Sequence, residues 1–267
     1  MMQTRCATSW IAGFGVWLAI ALPSAAETTG ARLSVCLDAD NPPFSSSSAG
    51  GGGFDADLAR VIARKLQREV DFVWVKIPAR GGLGKALNES IQAGRCDLYV
   101  GLPVGEETDS DLAGRLLTRT RPYVALGYVL VSPPGTTPMS VSQARRARRV
   151  GAVTATPADL YLYKEKFDRV PCGNNRELVA AVRAGGVQAA LIWGPALAAV
   201  RGDGADAIVM AREQPADSLL RTNMVIAVRI SDRELASSVD AAVAQLIADG
   251  EMRAMTSRYG LPWLEIN

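Results

Sequence analysis

Strand-like and helix-like patterns alternate along this 267-residue chain and the alternation runs twice, which confines it to layered α/β architectures. Residues 32–37 read as a strand. Residues 54–67 then place Phe54, Leu58, Val61, Ile62 and Leu66 at helical spacing, and 70–75 are rich in β-branched and aromatic residues again. Residues 83–93 read as a second helix and 96–100 as the next strand. Right-handed crossovers make this βαβαβ run a parallel sheet. After an apolar run at 124–131, closed by Pro133-Pro134-Gly135, the pattern restarts with strands at 149–153, 169–172 and 187–193 and helices at 157–167 and 176–184. One more strand, 224–229, precedes helices at 232–248 and 251–259, stopped by Gly250 and by Gly260-Leu261-Pro262.

Residues 1–26 contain one basic residue, Arg5, no acid, an apolar run from Trp10 to Leu22 and a small-residue end, Ser24-Ala25-Ala26. That is the pattern of a secretory signal peptide cut after Ala26, so the mature chain is expected to begin at Glu27 in the periplasm, without stable membrane insertion. Removing Arg5 from 29 Lys+Arg leaves 28 against 27 Asp+Glu, a net charge of +1, which gives no field for nucleic acid. The one basic cluster, Arg145 to Arg149 interrupted by Ala147, reads as a solvated helix end. Histidine is absent, which excludes a Ser/His/Asp triad, a Cys/His dyad and every histidine-bearing zinc site. Three cysteines remain after export: Cys36, Cys96 and Cys172. Cys36 and Cys96 can pair if their strands are neighbours, the alternative being two buried free thiols.

The order of elements, with "LSVCLDADNPPFS", "GFDADLARVIARKL", "IQAGRCDLYVG", "TRPYVALGYVLV", "RELVAAVRAGGVQAALIWGPAL" and "AAVAQLIADGEMRAMTSRYGLPW", resembles the family 3 extracellular solute-binding proteins. The resemblance implies the type II periplasmic binding fold: two α/β lobes, 27–131 with 223–267 and 132–222, joined by two crossing strands near 129–132 and 222–226, with a ligand cleft between them. Amino-acid binders of the family carry an arginine soon after the strand at 96–100 to grip the ligand carboxylate. Here "GLPVGEETDSDLAG" offers Glu106, Glu107, Asp109 and Asp111 and no arginine. With "GRCDLYVGLP", "TRPY" and Trp193-Gly194-Pro195, the chain is similar to the MxaJ/XoxJ-type proteins that accompany quinoprotein methanol and alcohol dehydrogenases. That narrower likeness implies a non-catalytic accessory role beside a pyrroloquinoline-quinone-dependent dehydrogenase, with its cytochrome c as a further partner. No cofactor of its own is expected, and the free protein is expected to be a monomer.

Strands that precede a crossover aim their carboxyl ends at the cleft. The loops there nominate Asp40, Asn41, Phe44, Leu102, Pro103, Thr154, Thr156 and Trp193, joined by Tyr123 from the Pro122-Tyr123 turn. Each aromatic has an ordinary alternative as core, and Thr156 before Pro157 is fully explained as a helix N-cap. The "AGGGGFDADL" glycines lack the Gly-Lys-Ser/Thr end of a phosphate loop. Asp38, Asp40, Asp97, Glu106 and Glu107 lie near enough for an acid/base pair to be conceivable, as in a small lyase, but spacing alone pairs none of them. Trp193 is expected at the cleft edge, Gly194 at a backbone turn and Pro195 in the first turn of a helix. Such a wall is aromatic and uncharged, suited to a flat apolar ligand or a partner's side chain. The competing reading is the substrate-binding component of an ABC importer for a small polar solute such as an amino acid.

Overall fold

The computed structural model describes Met1 and residues 32–48, 51–104, 108–199 and 207–266. The signal-peptide segment, Glu106 and Glu107 lie outside them. β1 (Arg32–Asp38) leads through the short β2 (Asp40–Asn41) and β3 (Ser45–Ser46) to α1 (Phe54–Lys65), β4 (Glu69–Val75), α2 (Gly82–Glu89) and β5 (Leu98–Val104). α3 (Thr108–Gly114) and β6 (Leu117–Arg119) precede the long β7 (Val124–Ser132). Next come α4 (Val141–Arg146), β8 (Val150–Val153), α5 (Pro157–Lys164), β9 (Arg169–Cys172), α6 (Asn175–Arg183), β10 (Ala189–Trp193) and α7 (Gly194–Ala199). β11 (Val209–Met210), a 3-10 turn at Ser218–Leu220, β12 (Arg221–Arg229), α8 (Arg233–Ala248) and α9 (Glu251–Arg258) complete the order.

The main path of the sheet is β4-β1-β5-β12-β7-β10-β8-β9, with β6 on β12 and β11 on β7. β4, β1 and β5 are parallel, as are β10, β8 and β9. Between these groups run β12 and β7, antiparallel to each other and to their outer neighbours. β7 pairs with β12 through Val124–Gly127 and with β10 through Tyr128–Val131. Its change of partner therefore falls just before the expected 129–132.

Each half of the sheet has apolar layers on both faces, as parallel strands require. α1 turns Phe54, Leu58 and Ile62 inward, and α8 and α9 add Val243, Leu246, Met252 and Met255 to the same cluster. Asp55 and Asp57 in the first turn of α1 and Arg64 and Lys65 in its last match the helix dipole. Beyond α9, Leu264 bridges to Ala125 and joins a cluster of the other half, so the C-terminal segment ties the halves together.

Gly194 differs from expectation in its reason. Its φ is not positive, so no turn demands glycine there. A Cβ would meet the Gly127 carbonyl oxygen at 3.0 Å and Pro262 Cγ at 3.1 Å. Glycine allows β10, β7 and the C-terminal segment to approach.

Cys36 and Cys96 form a disulfide with Cα atoms 5.7 Å apart, Cys36 in β1 and Cys96 just ahead of its neighbour β5. Closing a loop of sequence separation 60 restricts the unfolded chain. The Cys36→Ala/Cys96→Ala variant is expected to lose about 4 kcal/mol, read from urea unfolding midpoints. In the unreduced protein only Cys172 should alkylate among these three; labelling of Cys36 and Cys96 as thiols would refute the pairing in solution.

Candidate functional site

Two cavities open side by side along the crossing strands and share Trp193 and Thr222. The first, about 350 Å³, lies toward β1 and β5 and is lined by Asp38, Asn41, Phe44, Asp55, Tyr99 and Pro103, among others. The second, about 370 Å³, lies toward α5 and α6, with Tyr128, Thr156, Asn175 and Arg221 on its wall. A larger hollow of about 560 Å³ adjoins it on the outer side of α5, beside Leu160, Tyr163 and Arg169. Both inner cavities are of small-ligand size.

Of the residues nominated from sequence, Asn41, Phe44, Pro103 and Trp193 meet in the first cavity, and Thr156 and Trp193 in the second. Phe44 is buried and packs edge-on against Phe54. Four residues fall elsewhere. Leu102 points to the opposite face of β5, into the apolar cluster around the disulfide. Tyr123 is fully buried and lies parallel to Phe54, so it supports the wall from behind. Asp40 is exposed, and so is Thr154, whose hydroxyl donates to the Cys172 carbonyl at 3.1 Å. Thr156 is the N-cap of α5, with Pro157 following it. Asp97 accepts from the Ser34 amide at 3.0 Å and from Arg229 at 3.1 Å, a structural role.

Asp38, one of the carboxylates expected near the cleft, lines the first cavity, whereas Asp55 and Arg221 carried no signal in the sequence. Asp55 on α1 is buried against the first cavity, and its Oδ1 accepts a hydrogen bond from the Tyr123 hydroxyl at 2.7 Å. Burial pushes this carboxyl up to about 7, against the lowering effect of the Tyr123 bond. Gly101 lies beside it at φ +92, where a Cβ would come 2.6 Å from Asp55 Oδ2. Tyr99 also lines the cavity, and among the described residues its buried hydroxyl has no hydrogen-bond partner. Burial raises this phenol's pKa, and the charges of Asp38 and Asp55 add to the effect.

The second cavity has the opposite polarity, with Arg221 and no acid on its wall. Tyr128 and Trp193 stand 5.3 Å apart between ring centroids, tilted by 56°. Burial raises the Tyr128 phenol, while its hydrogen bond with Thr156 works against that shift. The expected uncharged wall is thus corrected: it is aromatic in the middle, acidic on one side and basic on the other. Arg221 begins an antiparallel crossing strand, whereas strand-end logic points only to loops after parallel strands. Among the described residues no group of three or more Cys, Asp or Glu could hold a metal ion, and no helix is long and apolar enough to cross a membrane.

The profile of the bacterial extracellular solute-binding proteins, family 3, matches residues 33–262. A 119-residue stretch is 37% identical to Protein MoxJ of Paracoccus denitrificans, covering 43% of this chain and 36% of that protein. Protein MoxJ of Methylorubrum extorquens is 31% identical over 112 residues, 40% of this chain and 31% of that protein. The chain thus matches about a third of the length of these curated relatives. Among solved structures, the L-cystine solute receptor of Neisseria gonorrhoeae in its unliganded open conformation aligns with a TM-score of 0.71 at 17% identity, over 86% of this chain and 94% of that one. The second substrate binding domain of a putative amino acid ABC transporter from Streptococcus pneumoniae aligns with a TM-score of 0.68 at 18% identity, over 85% and 99%. These two likenesses establish the fold, the type II periplasmic binding fold.

Asp55 generates a pH prediction. An acid whose pKa rises on folding holds its proton more tightly in the folded state. Stability therefore falls as pH climbs from the ordinary carboxyl value of 3.8 toward about 7, and the full penalty is present above that. Between pH 5 and pH 8 the wild type is expected to lose about 2–3 kcal/mol relative to Asp55→Asn, which keeps an acceptor for Tyr123 and cannot ionise. Urea midpoints of both proteins at the two pH values measure this. Equal pH slopes would show that Asp55 does not titrate there.

Proposed function

From the premise that the chain belongs to the bacterial extracellular solute-binding proteins of family 3, we propose that it is a periplasmic, non-catalytic binding protein accessory to a quinoprotein methanol or alcohol dehydrogenase, aiding its maturation or assembly. In this reading residues 27–131 with 223–267 form one lobe and 132–222 the other, and the cleft between them receives part of the dehydrogenase, with its cytochrome c as a further partner. Two things support it: the likeness to two MoxJ proteins, and the "GLPVGEETDSDLAG" segment without the arginine of the family's amino-acid binders. The observation that carries the site is Trp193, a half-buried aromatic shared by both cavities. Large aromatics in that setting are frequent interface anchors.

Trp193→Ala is expected to weaken co-purification with the dehydrogenase by roughly 30-fold, the equivalent of about 2 kcal/mol. Trp193 also packs against the main apolar cluster, so unfolding must be followed in parallel. A variant that loses stability yet binds its partner as the wild type does while folded would reduce Trp193 to a packing residue. Deleting the gene tests the larger claim: dehydrogenase activity should fall, and full, correctly assembled activity in the deletion strain would end the accessory reading.

A second reading, the substrate-binding component of an ABC importer, draws support from the two ligand-sized cavities with carboxylates in one and an arginine in the other. Thermal-shift measurements separate the two. Under the accessory reading no common amino acid raises the melting temperature at low micromolar concentration, because the ammonium and carboxylate of one small zwitterion lack partners in the same cavity. A saturable rise would transfer the protein to the importer class.

A further inference from the structure

Arg221 begins β12 on the wall of the second cavity, half-buried, and among the described residues its guanidinium makes no ion pair or hydrogen bond. Two arginines near this cavity are committed, Arg169 to Asp159 and Arg145 to Glu165. An arginine on a cavity wall without a partner presents its N–H fork to whatever enters, and a planar anion matches that fork in both charge and geometry. The starts of α5 and α6 reach the same cavity, but Thr156 and Asn174 already cap them, accepting from the Asp159 and Glu177 amides. The charged donor on this wall is Arg221.

What surrounds Arg221 narrows the anion. Tyr128 and Trp193 offer aromatic surface, Leu219 and Leu220 add apolar surface, and Thr156 and Asn175 contribute neutral polar groups. Among the described residues the wall holds no carboxylate that would accept an ammonium. Asp38 and Asp55 belong to the neighbouring cavity. We infer that the second cavity binds a small aromatic carboxylate without an amino group, its carboxylate held by the Arg221 fork and its ring against Tyr128 and Trp193. The anion-holding arginine then comes from a crossing strand, not from the segment after β5. This inference concerns the free protein, so it can fail while the accessory reading stands, and the reverse.

The test is isothermal titration of the exported protein at constant ionic strength with 3-phenylpropanoate and its neutral isostere 3-phenylpropanamide. The wild type should bind the acid saturably and the amide about tenfold more weakly or worse, the difference expected of charge-assisted hydrogen bonds. Arg221→Gln should bind the acid no better than the amide, and Arg221→Lys should retain part of the preference, since the charge stays while the fork is lost. Both variants should melt close to the wild type, because Arg221 holds no structural partner; should the Gln variant fail to fold, the Lys variant carries the comparison. Equal binding of acid and amide, absence of binding by either at millimolar concentration, or an Arg221→Gln protein that prefers the acid as the wild type does would overturn the inference.

Discussion

Hydrogen bonding between β7 and β12 is the interaction on which the rest of the molecule rests. Each strand has nine residues, and they pair antiparallel from Arg221↔Gly127 to Met224↔Val124. Each also pairs with a different half, β12 with β5 and β7 with β10. Parallel groups such as β4-β1-β5 and β10-β8-β9 need helices on both faces, and residues such as Trp193 and Leu264 pack across from one group to the other. The β7–β12 seam joins the two parallel groups into one sheet.

The same seam determines where a ligand can reach. β7 is buried along its whole length except at Tyr128, and β12 is partly open only at Arg221–Asn223 and at its last residue. These openings face each other across the pairing, because Arg221 is opposite Gly127, next to Tyr128. Main-chain hydrogen bonds fix the strands there, so Tyr128, Trp193, Arg221 and Thr222 are held by sheet register. Asp55 shows how far burial is carried: its carboxyl is fixed by Tyr123 and crowded by the backbone at Gly101. A side chain so placed keeps one rotamer.

Much of the architecture was legible because the strongest signals were periodic. The alternation of apolar runs identified β1, β4, β5, β8, β9 and β10 and the helices between them, and the neighbourhood of β1 and β5 made the Cys36–Cys96 pairing reasonable. Short elements were not legible. α4 has six residues, although Ser140 and Gln143 form a reciprocal capping box that a closer reading of caps would have caught. α3 and β6 lie in a polar, acidic stretch where periodicity says little. The site was half legible for a geometric reason. Strand-end logic finds Asn41, Phe44, Pro103 and Trp193, but a strand's alternation sends Leu102 to the far face, and an aspartate in a helix's first turn reads as a dipole partner before it reads as a buried acid. Arg221 carried no motif at all; it acquires its place from the pairing of β12 with β7.

Trp193 joins packing to recognition, and the two roles constrain each other. It is the last residue of β10, opposite Tyr128 in the register, and its ring meets that of Tyr128 while touching the main apolar cluster. Directly after it Gly194 lets the Gly127 carbonyl and the Pro262 ring close in, so β10 can sit tightly on the seam. A bulkier residue at 194 would push β10 away from β7, and the indole would move with it, altering both cavities together. The Trp-Gly-Pro sequence therefore acts as one unit: proline starts the helix that leads away, glycine admits the neighbouring backbone, and tryptophan is held as the wall between an acidic cavity and a basic one. The acidic cavity and the basic one therefore share one indole, and any shift of β10 is felt by both.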